Sequence, residues 1–239
     1  MLFFIYIFRL LLSKVKIYEK KQKNDKGGSI VREIKQCQKC LLCRNQEPLI
    51  DVWQPSDVCF VGLSAKIKQK EEETPLDKHT NTGKIIYQIE QQLIPYTLYK
   101  TNLVKCVPLD EHQKLRYPNT NEIDCCITHL ELEFEAIQPK VVFLLGRKVQ
   151  TAMAKNYDLK FEQHKTLHIL VAKHKETFFV NVYHPSYIYV YKRDKISEYV
   201  EQINTISRTQ NTGEVAAAFM RAEESPFFIF FLKSIDFIF

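Results

Sequence analysis

Two short apolar runs, Asp57-Val58-Cys59-Phe60-Val61-Gly62 and Val141-Val142-Phe143-Leu144-Leu145-Gly146, restrict the folds open to this chain more than any other feature. Neither alternates apolar with polar residues, so neither reads as a strand with one face in water. Short runs of this kind ending in glycine are the signature of strands covered on both faces, as in parallel sheets packed between helices. The intervening segments supply the helices. Gly83–Leu93 places Ile85, Ile86, Ile89 and Leu93 at helical spacing. Asn119 and Glu122 suit a helix N-cap and its reciprocal partner. The helix they open carries Ile123, Cys126, Ile127, Leu130, Phe134 and Ile137 on one face and stops before Pro139. A further helix starts at Arg147, and a last one spans Asp194–Ile206. Tyr99–Val104, Leu167–Ala172 and Thr177–Tyr183 read as strands. The sum is an α/β layered fold with a largely parallel sheet.

At 239 residues, with 45% hydrophobic and 26% charged residues, the chain suits one sizeable soluble core plus tails. The lysine-rich run 14–29 ends in Gly27-Gly28 and reads as a linker, so residues 30–207 are the expected working domain. Residues 1–29 and 208–239 are the expected appendages. The apolar stretches 1–12 and 227–239 fall short of the roughly 20 apolar residues a spanning helix needs. The first has neither a basic leader nor a small-residue cleavage site. Contact of these tails with a membrane surface is the lesser expectation. Residues 208–225 include an Ala-rich helical patch without a clear core face. A net charge of +6 favours an anionic partner, nucleic acid first among them, with solubility the other reading. Seven cysteines without secretory architecture point to a reducing, cytoplasmic setting.

Ligands of parallel sheets sit at the carboxyl ends of the strands, and Gly62, Asn102 and His184 all fall there. Cys37 and Cys40 form a C-x-x-C, with Cys106 following a strand and Cys126 within a helix. Thiolates so spaced serve zinc or an iron–sulfur cluster, the alternative being small buried hydrophobes. Cys43 and Cys125 compete with their neighbours, and spacing alone does not choose between Cys125 and Cys126. Cys59, inside a strand, reads as packing. Tyr187, Tyr189 and Tyr191 with Lys192, Arg193 and Lys195 mix aromatic and basic groups as nucleic-acid-facing segments do, or form an amphipathic surface. Ser186 suits a phosphate contact or a turn cap. Gly83-Lys84 lacks P-loop spacing, so no nucleotide cofactor is expected. Trp53 lies in a loop and carries no message by itself.

The ordered pieces C-Q-K-C-L-L-C, F-V-G, T-N-L-V-K-C-V-P, E-I-D-C-C, P-K-V-V-F-L-L-G and Y-H-P-S-Y resemble the iron–sulfur uracil-DNA glycosylases, across Gln36–Tyr187. The resemblance implies a three-layer sandwich around a central, mostly parallel four-stranded sheet. It implies a structural [4Fe–4S] cluster on Cys37, Cys40, Cys106 and Cys126, with zinc as the alternative metal. It further implies a base-excision enzyme acting on uracil-containing DNA, and a monomer is expected. In that scheme Asn102 reads the base edge and His184 donates to the uracil oxygen that gains charge. Gly62, Leu63, Ser64, Leu76 and Ser186 complete the substrate site. The chain departs from the family pattern where Gly62-Leu63-Ser64-Ala65-Lys66 replaces the usual Gly-Glu-(Ala/Gly)-Pro-Gly. Leu76 stands where an aromatic stacks on uracil, and about four extra residues separate Cys106 from Cys126. Glu71, Glu72 and Glu73 are nearby carboxylates that would have to stand in for the missing acid. A catalytically silent nucleic-acid binder is the alternative function these departures suggest; a zinc-stabilised interaction module unrelated to DNA is a third.

Overall fold

The computed structural model describes residues 27–163 and 169–209. The apolar stretches 1–12 and 227–239, the Ala-rich patch and most of the lysine-rich run lie outside the described residues. Within them, no helix is long and apolar enough to cross a membrane.

Residues 27–35 are helical (α1), so the expected domain start at Ile30 falls inside a helix whose Gly27 packs directly on the Trp53 ring. The elements that follow are β1 (Val58–Ser64), α2 (Asn81–Gln92), β2 (Leu98–Val104), α3 (Thr120–Ile137), β3 (Val141–Leu145) and α4 (Arg147–Tyr157). Then come β4 (Glu162–Gln163), β5 (Leu170–His174), β6 (Thr177–Val182), α5 (Pro185–Tyr191) and α6 (Ile196–Thr209). The last helix thus begins after a 3-10 turn at Arg193–Lys195 and passes the expected boundary at residue 207.

The strands form one six-stranded sheet in the order β2-β1-β3-β6-β5-β4. The first four run parallel, which is the expected four-stranded core. Two antiparallel strands, β5 and the short β4, extend it to six. The tight turn between β5 and β6 produces that extension, because a hairpin can only add an antiparallel neighbour.

Alternation along β1 assigns the two faces. Val58 and Phe60 pack with Ile85, Ile86 and Ile89 of α2 and Ile203 of α6. Cys59 and Val61 pack with Ile127 and Leu130 of α3 and Val149 and Met153 of α4. Phe60 stacks on Phe143 across the β1–β3 pair, ring centroids 5.0 Å apart. All of these side chains are buried, and each of the aliphatic and phenylalanine ones contributes about 1.5–3 kcal/mol of transfer free energy when removed fully from water. Helices on both faces make the three layers. Asn119 caps α3 with Glu122 as reciprocal partner, and Gln138 ends it in the left-handed conformation just before Pro139. Trp53, unremarkable in sequence, packs edge-on against Tyr99 at 5.9 Å and closes the core beside α1.

Candidate functional site

A cleft of about 980 Å³ opens at the carboxyl edge of the parallel strands. Gly62, Leu63, Ser64, Leu76, Asn102, His184 and Ser186 all line it. The seven converge because β1, β2 and β6 end at the same edge, and because Gly62 and Asn102 are register partners across the β1–β2 ladder.

Gly62 is required by close approach: a Cβ there would overlap the Asn102 Oδ1 and press on Leu76. Asn102 is 3% exposed, and its carboxamide makes no hydrogen bond to any described residue. The residue lines the cleft, so its NH₂ and its oxygen are open to a ligand there. Its backbone is held firmly. The Asn102 carbonyl accepts from the Lys105 ammonium at 2.7 Å, and that ammonium also reaches Glu133 at 2.7 Å and Thr101 at 2.8 Å. Tyr99 donates to the other Glu133 oxygen at 2.9 Å. This fully buried network lies directly behind Asn102. Sequence reading passed over it, since a lysine after a strand ordinarily faces water.

His184 caps α5. Its Nδ1 accepts the Ser186 backbone N–H at 3.3 Å and lies 2.8 Å from the Ser186 hydroxyl. With Nδ1 an acceptor, the ring proton resides on Nε2. Burial also lowers the His184 pKa, favouring the neutral ring. Ser186 therefore works as an orienting partner of the imidazole. Gly146, at φ 93°, turns the chain out of β3 beside His184 and starts α4 at the cleft with Arg147 and Lys148.

None of the residues lining the cleft is an aspartate or glutamate. The acidic run does not replace the missing carboxylate. Glu71 and Glu72 are exposed, while Glu73 turns inward to accept the Gln69 N–H at 2.8 Å and pair with Lys66 at 3.7 Å. Four cations do line the cleft: Lys66, Arg116, Arg147 and Lys148. Arg116 is neutralised by a two-pronged pair with Glu122, whose carboxyl it holds below the usual range. Lys148 lies 4.2 Å over the exposed Tyr117 ring. The Arg147 side chain makes no ion pair among the described residues. These cations are scattered along the sequence, so no local charge run announced them. Leu76, in a left-handed conformation at φ 55°, lies against Gly62 at the cleft floor.

The cysteines gather elsewhere, at the amino-terminal end of α3. Cys106 and Cys126 are buried against Leu42 and Val104, with Cys40 and Cys43 packed on them. Burial, reinforced by the thiols of Cys126, Cys40, Cys43 and Cys37, pushes Cys106 up to about 12. Burial likewise raises Cys126 against the opposing pull of Lys105, whose backbone N–H donates to the Cys126 sulfur at 3.3 Å. Cys125 is less buried and its thiol points to the Lys39 carbonyl. Among the described residues, no group of three or more His, Cys, Asp or Glu side chains approaches closely enough to hold one metal ion. The donor chemistry nonetheless fits a cluster. Cys37, Cys40, Cys43 and Cys126 all lie within electrostatic range of Cys106, Cys125 lies within that of Cys40, and a backbone amide donates to the Cys126 sulfur, the kind of contact that tunes cluster ligands. Cys59 is buried in β1, as packing.

The arrangement defines an α/β protein with a basic, acid-free cleft at the edge of a parallel sheet and a nest of thiols beside it. The model of the uracil DNA glycosylase superfamily matches residues 52–206, and the chain belongs to that superfamily. Curated relatives named type-4 uracil-DNA glycosylase are similar to it. That of Sulfurisphaera tokodaii is 24% identical over 171 residues, covering 68% of this chain and 75% of the relative. That of Saccharolobus solfataricus is 25% identical over 138 residues, covering 56% and 61%. That of Archaeoglobus fulgidus is 28% identical over 137 residues, covering 55% and 65%. Among solved structures, Pedobacter heparinus SMUG2 matches with a TM-score of 0.40 at 12% identity, covering 66% of this chain and 76% of that one.

Proposed function

We propose that this chain excises uracil, or a related deaminated base, from DNA by hydrolysing the N-glycosidic bond. The observation that carries the reading is the shared cleft of Asn102 and His184. Uracil presents N3–H as donor and O4 as acceptor. A free carboxamide answers both in one plane, its oxygen to N3–H and its NH₂ to O4, and it mismatches cytosine. As the bond breaks, the pyrimidine leaves as an anion and the sugar becomes cation-like. The Nε2–H of neutral His184 is the donor to the uracil oxygen that gains that charge, and such preorganised donors are worth about 10²–10³ in rate. Water then adds to the sugar carbon, giving free base and an abasic site. The target base must first leave the stack, which is cheapest at mispaired or unpaired uracil.

Cys37, Cys40, Cys106 and Cys126 would hold a [4Fe–4S] cluster, with zinc the alternative. When bound, such a cluster ties the segment before β1 to the β2–α3 connection. The reaction proposed needs no nucleotide cofactor, and residues 30–207, with α1, would be the working unit.

A second reading rests on the cleft's lack of a carboxylate. No side chain there is an anionic partner for the sugar cation or a base for water, so base recognition could persist without turnover. One assay separates the two: release of free uracil from a uracil-containing single strand and from a U:G duplex. Release that disappears in Asn102→Ala and His184→Ala supports excision. Binding of the same oligonucleotides without any release leaves the silent binder.

A further inference from the structure

Three tyrosines at four-residue spacing form an exposed ladder that begins at Tyr183, just before α5, and runs along the helix. Tyr183 and Tyr187 stack with centroids 5.8 Å apart and planes 25° apart, and Tyr191 follows Tyr187 at 5.4 Å. They are 49%, 39% and 71% exposed, and no hydroxyl of the three bonds a described residue. The helix sorts its aromatics by face. Ile188 is buried in the core, and Tyr189 packs against it while taking Lys84 and Arg193 onto its ring. Tyr189 therefore does not belong with its neighbours, although the sequence groups Tyr187, Tyr189 and Tyr191 together. Three neighbouring exposed rings in mutual register form a contiguous aromatic patch beside the cleft.

The ladder starts at the cleft lip, since Tyr183 immediately precedes His184 and Ser186 lies within its first turn. Cations bracket it: Arg147 and Lys148 on the cleft side, Lys192 and Arg193 beyond Tyr191. A polyanion that also offers flat apolar faces satisfies both features. Duplex DNA keeps its base faces stacked inside and presents phosphate, sugar and base edges in the grooves, but no free base face along its length. Unpaired bases have free faces.

We propose that Tyr183, Tyr187 and Tyr191 form a stacking platform for unpaired DNA nucleotides flanking the base held in the cleft, so that single-stranded DNA is the favoured polymer. This rests on the uracil-excision reading for the cleft, but the platform is testable with DNA that contains no uracil.

The probe is a fluorescein-labelled oligo(dT) of about 20 nucleotides, compared by anisotropy with a duplex of equal length. The wild-type chain should bind the single strand more tightly. Tyr187→Ala/Tyr191→Ala should weaken that binding about tenfold or more, as loss of base–aromatic stacking does, with the slope of log affinity against log salt unchanged. Tyr187→Phe/Tyr191→Phe should bind as wild type, because the ring face is retained. Since these side chains are exposed, the unfolding midpoint of each variant should match wild type. Equal affinity for single strand and duplex, an alanine variant that binds like wild type, or a phenylalanine variant as weak as the alanine one would each overturn the platform. A protein that binds oligo(dT) through the tyrosines yet releases no uracil would keep the platform and remove the excision reading.

Discussion

The side-chain oxygen of Asn102 occupies the space directly above the Cα of Gly62, its register partner on the neighbouring strand. The two positions are sterically one unit. Gly62→Ala should therefore push the Asn102 carboxamide out of place while leaving that side chain chemically intact. Uracil release should fall about 10²–10³-fold, close to the effect of Asn102→Ala. Combining the two changes should cost little more than either alone, and single-turnover assays of the three variants check that non-additivity.

His129 predicts an acid-sensitive fold. It is 1% exposed in α3, and neither ring nitrogen has a hydrogen-bond partner among the described residues. Burial, with help from Lys39 and Lys105, lowers its pKa to about 4 against the opposing pull of Glu33, 3.9 Å away. Between pH 6.5 and about 4 the unfolded histidine is protonated and the folded one is not, so the unfolded state binds more protons. Stability from this group is thus fully present above pH 6.5 and declines on acidification by roughly 1.4 kcal/mol per pH unit, about 2 kcal/mol by pH 5. Urea unfolding of wild type and His129→Leu at pH 8 and pH 5 measures it. The variant should gain on wild type at pH 5, and a constant difference between the two pH values would contradict the assignment.

The parts of the site that the sequence showed are those set by backbone position. Gly62, Asn102 and His184 end parallel strands, and strand ends in such a sheet must meet at one edge. The capping pair Asn119–Glu122 was likewise legible, because the chemistry is local. What stayed hidden depends on contacts between residues far apart in the chain. The burial of Lys105 follows from Glu133, 28 residues away, and the inward turn of Glu73 follows from the loop around it. The resemblance to a known family gave the order of motifs, while the acid-free cleft emerged only once the lining residues stood together.

Lys105 and Glu133 are both essentially inaccessible, 2.7 Å apart, so removing one partner strands a buried charge. Lys105→Met should destabilise the protein by about 3–5 kcal/mol. Adding Glu133→Gln, which keeps an acceptor for Tyr99, should recover more than half of that loss. The ammonium also holds the Asn102 carbonyl, so the double variant should fold well yet release uracil more slowly than wild type. A urea-unfolding double-mutant cycle beside the release assay separates the stability effect from the positioning effect. A double variant with full activity would show that Asn102 needs no such support.

Cys126 and its neighbour Cys125 differ in ways that predict opposite outcomes. Cys126 is buried, shares a packing cluster with Cys106 and receives the Lys105 N–H, whereas the Cys125 thiol is turned to the Lys39 carbonyl. A cluster ligand needs a sulfur that can reach the shared centre, and an amide donor to that sulfur helps to stabilise its charge. Protein purified without chelators should therefore be brown, absorbing near ~400 nm, with about four irons per chain if the bound group is [4Fe–4S]. Cys125→Ser should keep that colour and iron content. Cys126→Ser should lose most of both and unfold at lower temperature, since the segment before β1 is then no longer tied to the β2–α3 connection. Colourless protein carrying about one zinc per chain would instead identify the nest as a zinc site. Loss of metal from Cys125→Ser with retention in Cys126→Ser would reverse the assignment of the fourth ligand.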